Sequence, residues 1–281
     1  MILQSFLKIV IFLIFLKLTT TLALSTEPCR YTFGIVPTFH PEKTLEVWDP
    51  ILKELGRRLN CQFTIKTFDT FGEFMKALNL EKIDFALSGP YQVVLAKRTK
   101  GYMPIIRNRD PIRIILVVRK DSKYYSIFAL DGRIIGFTDP NAYITTIYMQ
   151  KKLREEFKIN FTPKYLKTHD NVYRHVLLKL VDAGCAVDLT FKRQPLEVRE
   201  QLHILFQSEP FPSPAIIVHP RVPKQIKKAF VINFLQIAKE DTYAQILQKT
   251  QVPNPISANY ERDYKILETF ALENSTSPLK R

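Results

Sequence analysis

Two rhythms of apolar and polar residues take turns along the chain after residue 30. "YTFGIV", from Tyr31, reads as a strand. The stretch "PEKTLEVWDPILKELGRRL" then places Leu45, Trp48, Ile51, Leu52, Leu55 and Leu59 at three- and four-residue spacing, as an amphipathic helix does. Strand "QFTIKTF", helix "FGEFMKALNL", strand "DFALSG" and helix "YQVVLAKRTK" continue the series. A βαβαβα order requires a parallel sheet with crossover helices.

Two β-rich runs follow, "YMPIIRN" and "IRIILVVRK", and the alternation then restarts. "RIIGF" is a strand, "ITTIYMQKKLREEF" a helix, "KYLKT" a strand, "DNVYRHVLLKLV" a helix and "CAVDL" a strand. Asp170 is expected as the N-cap of the second of these helices, whose apolar stripe is Val172, Val176, Leu177 and Leu180. In "LHILFQSEPFPSPAIIVHPRVP", Pro210, Pro212 and Pro214 stiffen an extended crossing between two strands. The remainder reads as helix over 223–240, 242–248 and about 263–272. The expected fold class is α/β with two lobes. Lobe 1 takes residues 26–118 and 206–281, lobe 2 takes 119–205, and two crossing segments join them around a cleft.

Composition adds an address. The first 25 residues contain no acidic residue, carry Lys8 early, run apolar from Ile9 to Leu16, and end Ala23-Leu24-Ser25 with small residues at the −3 and −1 positions of a signal-peptidase site. Residues 1–25 are read as a cleaved secretory signal, with an uncleaved N-terminal anchor as the alternative. Lys17 and the threonines interrupt an apolar stretch shorter than the ~20 residues that span a bilayer. The formal charge of +14 favours anionic partners in general. The Lys and Arg residues are spread over the chain without a basic stripe, so no nucleic-acid partner is expected.

Three cysteines are present, none at the short spacing of a zinc site, and no metal is expected. Cys29 and Cys61 precede the first two strands. If those strands are parallel neighbours, both sulfurs lie at one edge of the sheet, and a Cys29–Cys61 disulfide is expected in an oxidising compartment. Cys185, inside "GCAVDL", is read as a buried free thiol. The sequence has no Gly-x-Ser-x-Gly elbow, no His-Glu-x-x-His and no glycine-rich nucleotide loop, and only 8 glycines in all. Neither catalysis nor a cofactor is expected.

"FGIVP" with "WDP" at residue 48, "IDFALSGPYQVV", "GYMPIIR", "ALDGRIIGFTDP", "THD", "VDAGCAVD" and "SEPFPSPAIIVHPRVP" stand in one order over roughly residues 33 to 223. In these landmarks the chain resembles the substrate-binding proteins of phosphate, phosphite and phosphonate ABC transporters, of the type 2 periplasmic-binding-protein class. The resemblance implies a two-lobed protein that closes on a small anion and presents it to an ABC permease, as a monomer in the periplasm. A sensor that reports to a membrane signalling partner, or an enzyme or scaffold built on the same fold, are the rival readings.

In those relatives a Ser-Thr-Ser-Gly run after the "DP" holds the oxyanion at a helix start, where orphan N–H groups and the helix dipole favour negative charge. Here the aligned residues are Ala142, Tyr143, Ile144 and Thr145, so the hydroxyl cluster is lost and an altered specificity is expected. Side-chain donors that remain are Asn141, Tyr143 and Thr145. The resemblance also implies ligand contacts for His169 and Tyr91 and places an acidic residue at Asp188, whose rival role is capping the next helix. Thr38 and Ser88 end the first and third strands and complete the expected ligand set, though small hydroxyl residues are common in turns.

Overall fold

The computed structural model describes residues 28–268. The strands in chain order are β1 (Cys29–Ile35), β2 (Cys61–Lys66), β3 (Phe85–Ser88), β4 (Met103–Asn108), β5 (Ile114–Arg119), β6 (Arg133–Phe137), β7 (Phe161–Tyr165), β8 (Ala183–Val187), β9 (Leu202–Gln207), β10 (Ala215–Val218) and β11 (Pro255–Ser257). They form two sheets, ordered β2-β1-β3-β10-β4-β11 and β7-β6-β8-β5-β9. In each sheet three parallel strands are followed by one antiparallel strand that the chain contributes from beyond a crossing. The two lobes thus share one winding pattern.

Cys29 and Cys61 face each other at the start of the β1–β2 register, with Cα atoms 4.4 Å apart, and form a disulfide. Cys185 is a buried free thiol. Helix α1 (Pro41–Leu59) buries Val47, Trp48, Ile51, Leu52 and Leu55 against this sheet. Trp48 packs beside Phe33 and Phe234 in the core of the first lobe. Helices α2 (Phe71–Asn79) and α3 (Pro90–Lys100) complete the parallel crossovers of this lobe.

In the second lobe the helical segment over 143–156, called α4, opens and closes in π geometry (Tyr143–Tyr148 and Lys152–Glu156) around a short α turn (Met149–Lys151). Helix α5 (His169–Leu177) lies tightly on β8. A Cβ at Gly184 would come within 2.5 Å of Val172 Cγ1 and 2.8 Å of Val176 Cγ2, so only glycine lets the helix sit so close. Helix α6 (Asp188–Lys192) follows β8 directly.

Several expectations shift. β5 pairs with β8 and β9 and belongs wholly to the second sheet, so residues 114–118, expected in lobe 1, lie with lobe 2. β9 likewise extends that sheet to Gln207, beyond the expected end at 205. β7 begins at Phe161, because Pro163 is tolerated on an edge strand that needs no further pairing. The N-cap of α5 is Thr168, whose hydroxyl accepts from the Asn171 N–H at 3.2 Å. Asp170 instead lies inside the first turn. The C-terminal segment forms a short helix at Tyr260–Asp263 and a 3₁₀ turn at Lys265–Leu267 rather than one helix from 263. The expected signal, residues 1–25, and the tail beyond 268 lie outside the described residues.

The crossings run side by side. Ile112 and Phe211 exchange both backbone hydrogen bonds, at 3.0 and 2.7 Å, and Ser208 caps the Ile114 N–H at 2.9 Å.

Candidate functional site

Between the lobes lies a cleft, part of it open to solvent. From the first lobe it is lined by Thr38, just past β1, by Phe71, by the start of α3 at Gly89, Pro90 and Gln92, and by Gln251. From the second come the start of α4 (Ala142 to Thr145), His169, and Leu189 and Thr190 of α6. Ile112 and Pro214, on the two crossings, form part of the wall. Apolar side chains dominate, and among the described residues no Lys, Arg, Asp or Glu lines the cavity.

Two helix starts point at this space, and neither carries a side-chain cap: α3 begins after Gly89 and α4 after Ala142. The first turn of α4 is widened, since the Ala142 carbonyl accepts from the N–H groups of both Thr146 (2.8 Å) and Ile147 (3.3 Å). Turns of this π type recur at functional sites. Below it, the Cys185 thiol donates to the Thr145 carbonyl at 2.8 Å, tying the turn to β8.

Tyr91 of α3 and Tyr143 of α4 stack across the cleft, with ring centroids 3.4 Å apart and planes 13° from parallel. Both rings are buried, and removal from water raises the Tyr91 phenol above its ordinary pKa. Two further contacts join the lobes: Lys43 lies 3.7 Å from Asp170, and the Arg193 guanidinium lies over the Phe39 ring at 5.9 Å.

His169, the first residue of α5, lines the cavity and is 4 % exposed. Burial pushes its imidazole down to about 4, only partly opposed by the neighbouring Asp170 carboxylate, so the ring is neutral at ordinary pH. Its Nδ1 has no hydrogen-bond partner among the described residues, and neither has Gln251 Oε1 from the opposite lobe. Buried polar atoms are rarely left so, and here both belong to residues that line the cavity.

Of the residues singled out in the sequence, Thr38, Tyr143, Thr145 and His169 line the cavity together. Ser88 is fully buried at the end of β3 with an unpartnered hydroxyl, one residue behind the lining Gly89. Tyr91 does not line the cavity; its ring lies against Tyr143. Asn141 is exposed on the turn, its N–H donating to Asp139 Oδ1 at 2.8 Å, and it does not line the cavity. Asp188 does not line it either. It opens α6, and its carboxylate accepts from the Arg113 N–H at 2.9 Å and pairs with Lys192, so it braces a crossing.

Sequence reasoning missed Gln92, Thr190 and Gln251. Gln92 stands beside Tyr91 in the landmark "SGPYQVV", and it folds back so that a Cβ at Gly89 would meet its Oε1 at 2.6 Å. Thr190 is fixed from behind by the Tyr173 hydroxyl at 2.8 Å. Gln251 follows a helix in the C-terminal segment, where no local pattern marks it.

A sequence profile for "ABC transporter, phosphonate, periplasmic substrate-binding protein" matches residues 33–264. The fold is similar to that of a binding protein component of an ABC phosphonate transporter from Pseudomonas aeruginosa, with TM-score 0.76 and 17% identity, covering 88% of this chain and 86% of that one. It is similar also to PhnD1 from Prochlorococcus marinus in complex with methylphosphonate, with TM-score 0.76 and 14% identity, covering 89% and 100%. XAC2383 from Xanthomonas citri, solved with chloride, gives TM-score 0.67 at 14% identity over 87% and 98%. Curated proteins give no match. At such identities the structures speak for the type 2 periplasmic-binding fold, while the profile covers most of the chain. The chain belongs to the periplasmic substrate-binding proteins of phosphonate ABC transporters.

Proposed function

We propose that this protein captures a small organophosphonate in the periplasm, as a monomer, and delivers it to an ABC permease. The family is one of solute-binding transport proteins rather than enzymes. The observation that carries the reading is a cavity lined from both lobes and from both crossings, so that a ligand touches all of it only when the lobes are closed. Ligand contacts made only in the closed form are what shift an open–closed equilibrium.

The division proposed for the moving parts follows the sheets: residues 28–108 with 215–268 as one lobe, and 114–207 as the other. Within the cleft we assign the phosphonate oxygens to the uncapped start of α4, to Thr145 and Thr38, and to the neutral His169 imidazole. The substituent on phosphorus lies against Phe71, Ile112, Ile144 and Leu189, which suit an apolar group better than bare phosphate. PhnD1, of similar fold, is described in complex with methylphosphonate, which supports the same class of ligand here.

Thermal unfolding of the purified protein against methylphosphonate, 2-aminoethylphosphonate, phosphite and phosphate tests this. Saturation to a hundred times the dissociation constant raises stability by about 2.7 kcal/mol. The expected ranking puts the alkylphosphonates first. A shift with phosphate alone, or with none of the four, would sink the reading.

A further inference from the structure

The cavity holds no formal positive charge, yet a buried cation stands at its edge. Arg193 closes helix α6, one turn beyond Leu189 and Thr190, which line the cavity, and residues three and four apart share a helix face. Its guanidinium lies 5.9 Å from the Phe39 ring, and Phe39 follows the lining Thr38 in the opposite lobe. Both terminal nitrogens are out of reach of solvent, and neither has a hydrogen-bond partner among the described residues.

The acids nearby are already engaged. Asp170 pairs with Lys43 at 3.7 Å and accepts from Gln194 at 2.8 Å, while Asp188 is held by the Arg113 N–H and by Lys192. Lys43 approaches the same Phe39 ring at 5.2 Å, but Lys43 has Asp170 whereas Arg193 has no carboxylate. Burial without compensation pushes the Arg193 guanidinium down to about 10. A ring face offers some attraction to a cation. It does not satisfy the five N–H donors of a guanidinium, and a buried charge is normally paired.

We propose that Arg193 is the anion anchor of the closed cleft: its guanidinium fork takes an acidic oxygen pair of the ligand, a duty left open by the loss of hydroxyls at Ala142 and Ile144. This rests on the organophosphonate reading for the identity of the anion, but not for the presence of one. The guanidinium of α6 in one lobe meets the Phe39 ring of the other, a contact that exists only when the lobes are together.

Calorimetric titration of the purified protein and its Arg193→Gln and Arg193→Lys variants, with methylphosphonate, 2-aminoethylphosphonate and succinate as probes, tests this. The expected result is at least a thirty-fold weaker methylphosphonate affinity in R193Q and an intermediate loss in R193K, which keeps the charge but not the fork. The dependence of affinity on KCl should flatten in R193Q. Ligand-free R193Q should melt no lower than the unmodified protein, since it loses an unpaired buried charge. If R193Q binds methylphosphonate within twofold of the unmodified protein, or melts several degrees lower without ligand, the anchor is overturned and the phosphonate reading stands. Binding of succinate but not of the phosphonates, abolished in R193Q, upholds the anchor and overturns the phosphonate reading. If the unmodified protein binds none of the probes, both fall.

Discussion

Tyr91 and Tyr143 lie face to face across the cleft, each on the first turn of a helix that belongs to a different lobe. This contact exists only when the lobes are together, so it belongs to the closed form alone. An aromatic pair contributes about 0.5–1.5 kcal/mol beyond the area it buries. Tyr143→Ala should therefore weaken closure, seen as a larger radius of gyration by small-angle scattering with methylphosphonate bound, whereas Tyr143→Phe should leave it unchanged. Equal dimensions for all three proteins would show that the stack does not hold the lobes.

His169 gives the closed protein a pH dependence. Its folded-state pKa, about 4, is below the ordinary value of 6.5, so between these values the unfolded chain binds more protons than the folded one. Stability is then full above pH 6.5 and falls as pH drops towards 4, by on the order of 3 kcal/mol if this group acted alone. His169→Gln should remove that part of the slope in denaturant titrations between pH 7 and 4.5. A slope that survives the substitution would assign the effect to other groups.

Gly184 carries a prediction about distance. An added methyl in Gly184→Ala meets Val172 and Val176 on α5, and overpacking of this kind costs about 1–3 kcal/mol. Because α5 begins with His169, the displaced helix also moves the imidazole. Chemical denaturation should show the loss of stability and titration with methylphosphonate a weaker affinity. A stable variant with unchanged affinity would mean that the β8–α5 contact is looser than the structure shows.

The alternation of periods made both lobes legible in the sequence, because crossover helices and parallel strands each impose their own spacing. What it could not reveal was where the chain changes lobe. β5 and β10 are antiparallel insertions into the opposite half of the fold, and their apolar runs look the same whichever sheet receives them. In the site, Tyr143, Thr145 and His169 were readable because they occupy marked turns after strands. Gln251 was not, since it reaches the cleft by long-range packing and stands in no local motif. Asp188 stayed open between two roles for a related reason: a carboxylate at a strand end has the same local sequence whether it faces a ligand or, as here, a backbone N–H of the crossing.

The paired backbone bonds between Ile112 and Phe211 have a mechanical consequence. Two separate linkers would leave the lobes free to swing, slide and twist independently. The clamp ties the two crossings together, so that neither moves without the other.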